Sequence, residues 1–280
     1  MHPDFWDIYR YAKNRGFLVT ILTNAYGLTK DNIRTLSNFP PYSIEVTVNG
    51  ITASTYEKIT RVKGSFDKSM SNIRALKRGN VSLSVKSNCL KENKNEICRV
   101  KHWVDGFLGS PRDDKYYFAY DQVLMPKLDG DTSVCRHRLA PEELRRVIRQ
   151  DGQVEEEYCE YIKDEFPLNE RPADALYRCN SWMDRCIVGP SGLAKFCLFS
   201  ERFSFNVLRE PLASGIKRMR KSILRQRFKS KSPCRTCDIR SICFSCPAVA
   251  YLETGNEEKP VEYFCQMAKY TAGKTRLTLR

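Results

Sequence analysis

The residues whose type and spacing carry chemistry are the cysteines. The chain has 12 of them, sparse at first (Cys89, Cys98, Cys135, Cys159) and then crowded (Cys179, Cys186, Cys197, Cys234, Cys237, Cys243, Cys246, Cys265). The dense core reads Cys234-Arg-Thr-Cys237-x5-Cys243-Phe-Ser-Cys246-Pro247. Two Cys-x2-Cys pairs this close together form a strong metal-ligand pattern. Zinc ribbons separate their pairs by ~15 to 20 residues so that two knuckles can face each other. The five residues between Cys237 and Cys243 are tight for a single zinc. Iron–sulfur clusters tolerate close ligands because the irons sit at the corners of a bulky cube. Cys246-Pro247 also matches the bacterial ferredoxin pattern, whose last cysteine precedes a proline. Eight late cysteines would serve two clusters of four thiolates. Iron–sulfur is favoured over zinc, and zinc stays open. Cys186 has a spacing from Cys179 that suits a ligand and suits a packed thiol equally well. Cys89, Cys98, Cys135 and Cys159 lack a partner at ligand spacing and read as small apolar residues.

These thiols must be held by a folded scaffold, and composition bounds it. Two hundred and eighty residues, 41% hydrophobic, suit one large domain or two modest ones. No run approaches the ~18 to 20 apolar residues of a membrane-spanning helix. The start, Met-His-Pro-Asp-Phe-Trp, has neither a basic nor an apolar signal region, so a cytoplasmic chain with reduced thiols is expected. The net charge of +14 favours anionic partners such as nucleic acid, nucleotide or an acidic surface. The blander reading is a basic, soluble surface. From Lys217 to Lys231 there are eight Lys or Arg and no acid. Ile216, Met219, Ile223 and Leu224 keep helical spacing there, which predicts an amphipathic helix with a solvated basic face. A docking surface for an acidic peptide or nucleic acid is the sharper reading of the same segment.

The first half alternates strand and helix. Phe5, Ile8, Tyr9 and Ala12 predict a helix stopped at Gly16. Phe17 to Asn24 is apolar on both faces, as a parallel strand covered on both sides would be. Thr29 caps a helix with inner residues Ile33 and Leu36. Ser43 to Asn49 is the next strand, and Ser54-x-x-Glu57 has the form of a capping box. Phe66, Met70, Ile73 and Leu76 mark a longer helix. Val81 to Lys86 is the third strand, Ile97 to Val104 a helix, Lys115 to Tyr120 the fourth strand, and Pro141 to Arg149 a helix with Pro in its first turn. Such spacing predicts an α/β fold with a parallel sheet and right-handed crossovers. Its ligand would sit beyond the C-terminal strand ends, where Asn24, Asn49 and Asn88 fall, with Thr47 and Lys86 just before them. Each of these reads first as a turn or strand residue.

Taken together, the chain resembles the radical S-adenosylmethionine enzymes that carry a C-terminal SPASM domain. The SPASM pattern is matched by Cys179, Gly192-x4-Cys197, Cys234-x2-Cys237-x5-Cys243-x2-Cys246 and Cys265, with two residues rather than the family's three between Cys243 and Cys246. His2-Pro-Asp-Phe5, Thr23-Asn24, Val48-Asn-Gly50, Thr55 to Ile59 and Gly64-Ser-Phe66 are similar to successive landmarks of the family's barrel. The resemblance implies a partial (β/α)6 barrel lacking its first strands over residues 1–151, a linker over 152–178 and an iron–sulfur SPASM domain over 179–280.

Two auxiliary [4Fe–4S] clusters are implied. Cys179, Cys197 and Cys246, with Cys186 as a fourth, would hold one, and Cys234, Cys237, Cys243 and Cys265 the other. Without Cys186 the first cluster keeps an open iron. Thr47 matches a strand position that contacts the ribose of S-adenosylmethionine, with Asn24 and Lys86 as further members of that pocket. The family's catalytic Cys-x3-Cys-x2-Cys occurs nowhere in the 280 residues. The resemblance then implies a truncated member, entered after two strands and inactive as it stands, that would bind S-adenosylmethionine only in a full-length form. The implied substrate is a peptide or protein, modified by 5′-deoxyadenosyl radical chemistry. The implied partner is a missing N-terminal half or an electron donor. A non-catalytic electron-transfer or peptide-binding remnant and a zinc-stapled nucleic-acid-binding protein are the alternatives.

Overall fold

The computed structural model describes residues 2–109, 117–150, 172–179 and 185–275. The chain divides into two compact units: Met1–Leu124 with His137–Leu139, and Met125–Arg136 with Ala140–Arg280.

The first unit contains α1 (Phe5–Asn14), β1 (Thr20–Thr23), α2 (Lys30–Asn38), β2 (Ser43–Thr47), α3 (Ala53–Thr60), α4 (Ser65–Arg78), β3 (Leu83–Asn88), α5 (Ile97–Leu108) and β4 (Phe118–Asp121). The four strands form one parallel sheet in the order β1-β2-β3-β4. Successive strands lie side by side because each crossover carries a helix over the sheet. Ile44, Val46, Val48 and Val85 point from the sheet into a core closed by Leu36, Tyr56, Met70, Ile73, Leu76, Val100 and Val104. Each such burial stabilises the fold by roughly 1.5–3 kcal/mol. In register, Thr47 faces Lys86 and Asn88 faces Asp121, so these residues end up at the same edge of the sheet.

Two local expectations are corrected. β1 is not covered on both sides: it is the edge strand, and Leu18 and Leu22 are 79% and 70% exposed. Phe17 and Leu18 precede the ladder, whose first pair is Thr20 with Ser43. Ser54 is not the cap of α3 either. Thr52 is, with its hydroxyl accepting from Thr55 N at 3.3 Å, and Ser54 lies within the helix. The partner that decides this is Glu96, far along the chain. Its carboxylate accepts from Ile51 N and Thr52 N, and from the Thr52 and Thr55 hydroxyls, at 2.6–3.2 Å. By contrast, Thr29 caps α2 with a reciprocal bond from Asn32, and Gly16 follows α1 at φ +85°.

The second unit holds α6 (Pro141–Arg149), an antiparallel sheet of β5 (Ile187–Val188), β6 (Leu193–Cys197) and β7 (Ser200–Asn206), then α7 (Leu212–Leu224), α8 (Pro247–Thr254) and α9 (Glu262–Thr275). Gly192 makes the turn into β6 at φ +78°, a conformation open to glycine. Leu176, Tyr177, Ala194, Phe196, Phe205, Met219, Ile223 and Phe228 form the core. The basic helix begins earlier than its charge run and ends at Leu224, half exposed; its buried stripe is Gly215, Met219 and Ile223. Leu224 is one residue beyond that stripe and turns away from the core. Among the described residues no helix is long and apolar enough to cross a membrane.

Candidate metal centres

The second unit gathers seven of the eight late cysteines into two groups. Cys179 lies in the extended segment after Tyr177, Cys197 ends β6, and Cys246 is the N-cap of α8 with Pro247 at the first helical position. Burial pushes the Cys246 thiol up to about 12, and the thiols of Cys197 and Cys179 add to the rise; the backbone N–H groups of Val249 and Ala248 act the other way. Burial also raises Cys197, with Cys179 again contributing, while Phe199 N donates to its sulfur at 3.4 Å. A thiol held up by burial and neighbouring thiols stays protonated until a cation takes the proton's place. The N–H groups at the start of α8 would then favour the resulting thiolate. Burial raises Cys186 as well, and its side chain packs on the same apolar core as those of Cys179 and Cys197.

The other four cysteines surround a cavity of about 80 Å³ lined by Cys234, Cys237, Cys243 and Cys265. Cys234 sits in the 3-10 turn Pro233–Arg235, Cys243 follows the turn Arg240–Ile242, and Cys265 projects from α9. Burial raises Cys243 to about 11, with Cys265, Cys234 and Cys237 adding to it. Cys265 is raised by burial, then by Cys234. Cys246 contributes to the cavity wall as well, although the thiols that perturb it are those of the first group. A cavity of about 80 Å³ is several times the ~10–15 Å³ that one water-sized occupant needs. Among the described residues no group of three or more His, Cys, Asp or Glu is placed to hold a metal ion. A donor set spread around a roomy cavity fits a polynuclear centre.

Beside the three-cysteine group opens a cleft of about 660 Å³, bounded by Leu198, Ala248 and Tyr251 and by charges of both signs, Lys195, Arg202 and Lys229 with Glu201, Glu257 and Glu258. Inside it Glu257 accepts from the Tyr177 hydroxyl at 2.6 Å and pairs with Arg202.

In the first unit, Thr47 and Lys86 are brought together by strand register, and Lys86 Nζ lies 3.1 Å from Asp121. Asn24 follows β1 and uses its side-chain oxygen to accept from Tyr26 N at 3.1 Å. Asn49 accepts from Asn88 N at 2.8 Å, and Asn93 donates to the carbonyls of both Asn49 and Asn88. Asp121 and Glu96 were missed from the sequence because their partners are distant in the chain, and Asn93 because its bond to Asn49 spans 44 residues and no local pattern marks it. Burial raises Cys89 to about 12, with the Cys98 thiol adding to the rise. Cys135 is half-buried, and Cys159 lies outside the described residues.

No family model matches the chain. Over 92% of its length it is 21% identical to the AdoMet-dependent heme synthase of Methanosarcina barkeri (strain Fusaro / DSM 804), spanning 78% of that protein. Among solved structures, anSMEcpe with bound AdoMet and the Cp18Cys peptide matches 98% of the chain and 80% of its own, at a TM-score of 0.63 and 12% identity. Streptococcus suis SuiB bound to S-adenosylmethionine matches 92% of the chain and 61% of its own, at a TM-score of 0.63 and 13% identity. The chain shares the fold of these S-adenosylmethionine-bound structures. In this shared fold the parallel sheet presents Thr47, Lys86 and Asp121 near its C-terminal strand ends, the edge at which ligands of open α/β sheets bind.

Proposed function

We propose that the chain is a radical S-adenosylmethionine/SPASM protein whose family role is the modification of peptides or proteins. Its second unit would carry two auxiliary [4Fe–4S] clusters. Cys179, Cys197 and Cys246 would hold one, with an iron left open for a non-cysteine ligand; Cys234, Cys237, Cys243 and Cys265 would hold the other. The observation that carries this reading is the division of seven cysteines into a group of three and a group of four, the latter around its own cavity. When bound, such clusters supply one-electron transfer. The protein's share is to bury the thiols, turn the α8 N–H groups toward Cys246 and offer the adjacent cleft to a peptide substrate.

The first unit would be the part of a (β/α)6 barrel that follows its first strands, with Thr47, Asn24 and Lys86 facing S-adenosylmethionine. The chain has no Cys-x3-Cys-x2-Cys, so the catalytic cluster would come from sequence beyond these residues or from a partner, and this stretch alone would not cleave the cofactor. A cytoplasmic, reducing setting suits the free thiols. The missing motif also favours a second reading, a non-catalytic electron-transfer or peptide-binding protein. The intact mass of the native protein separates the two.

Iron, sulfide and absorption measurements on anaerobically purified protein test the main reading. About eight irons and eight sulfides per chain, with absorption near ~400 nm, are expected. Cys186→Ala should keep all of them, and Cys265→Ala should lose about half. About one or two zinc ions without sulfide would overturn the reading in favour of a zinc module.

A further inference from the structure

Arg240 forms part of the wall of the four-cysteine cavity. Its guanidinium lies over the Phe228 ring, 4.6 Å from the centroid, and its Nη2 donates to the carbonyls of Ala175 and Leu176 at 3.1 and 2.9 Å. Ring and carbonyls fix the plane of the group, which leaves Nη1 a single direction. That nitrogen is buried and has no hydrogen-bond partner among the described residues. The same holds for Nε of Arg178. The two cations repel: burial and then Arg178 draw the Arg240 pKa down to about 10, while Cys234, Cys237 and Cys243 oppose the fall.

Two neighbouring half-buried arginines, each with one buried donor left idle, are costly unless an anion faces them. The carboxylates on the same wall are committed elsewhere. Glu257 is engaged by Tyr177 and Arg202, and Glu258 by Lys229 N, Ser230 N and the Ser230 hydroxyl. Lys259 and Lys269 make the wall more positive still. The same wall carries the thiols of Cys234, Cys237, Cys243 and Cys265.

We propose that Arg240 is the charge-compensating and positioning residue of the four-cysteine centre, donating its Nη1–H to a sulfur there and raising the reduction potential of the bound cluster. This rests on the two-cluster reading above. A [4Fe–4S] core with four thiolates is anionic, and reduction adds one more negative charge. A fixed cation and an N–H···S bond stabilise the reduced form more than the oxidised one, so the cluster accepts an electron more readily.

Wild type, Arg240→Gln and Arg240→Lys, purified without oxygen, would be compared by iron and sulfide content, far-UV circular dichroism and potentiometric titration followed by electron paramagnetic resonance. The glutamine variant should keep the fold while one cluster moves to a lower potential and the other stays; the lysine variant should recover part of the shift. If the glutamine variant instead loses about half its iron, retention by lysine supports the same role. Unmoved potentials at full iron content overturn the inference and leave the two-cluster reading intact. Equal iron loss in both variants also overturns it, since the bonds to Ala175 and Leu176 would then be what matters. Wild type without iron and sulfide overturns the two-cluster reading and this inference with it.

Discussion

Glu96 shows how one side chain can organise a loop that sequence alone misassigns. It is nearly buried, and its carboxylate takes two backbone N–H groups and two hydroxyls at the start of α3. Burial by itself would raise its pKa, but the bonds from Thr55, Thr52 and Ile51 outweigh it and the group ends below the ordinary carboxylate range. A depressed folded-state pKa contributes stability that is present above the unfolded value of ~4.3 and is lost as pH falls through the folded value. Glu96→Gln should cost about 1–3 kcal/mol at neutral pH, measured by urea unfolding. The cost should shrink on acidification, and an unchanged cost at acid pH would contradict this account. The cysteines present the opposite case. Cys234, Cys237, Cys243 and Cys246 read as candidate ligands because their spacing is local. Cys179 and Cys265 were assigned only through the family pattern, since nothing near them in the chain says which metal site they join. Glu96 offered no signal, because the groups it binds lie 41 to 45 residues away.

At the scale of elements, periodicity carried most of the fold. Leu36, Met70, Ile73, Leu76, Val100 and Val104 are all buried where helical spacing placed them, and Pro141–Arg149 begins and ends as expected. What periodicity could not convey was neighbourhood. β1 has the composition of a central strand and the position of an edge, and α7 starts before its basic run. One contact on α7 is close enough to test. A Cβ at Gly215 would stand 2.2 Å from the Phe205 ring, so helix and sheet approach each other where a side chain has no room. Gly215→Ala should destabilise the protein by about 1–3 kcal/mol through overpacking, against the small gain alanine brings to an open helix. Phe205→Leu in the same background should restore part of the loss; a cost fully additive with that of Phe205→Leu alone would argue against the contact.

Across the whole molecule, charge and exposed apolar surface pull on solubility in opposite directions. The net charge of +14 keeps copies apart, while Phe17, Leu18 and Leu22 expose apolar surface along the β1 edge. Leu22→Lys should change stability by no more than ~0.5 kcal/mol, because the side chain is already in water. It should also lower concentration-dependent light scattering. Scattering unchanged in the variant would mean that this edge is not where copies associate. A different consequence follows from how the chain is shared between the units. It passes from the first unit to the second after Leu124, returns at His137, and leaves again at Ala140. The two halves are therefore interleaved in sequence, with the stretch from Met125 to Arg136 counted in the second unit and inserted ahead of the last piece of the first. A gene fusion or exchange with a single breakpoint would strand a piece of one unit in the other's lineage. A single cut after Leu124 would leave His137–Leu139 of the first unit on the piece that carries the second.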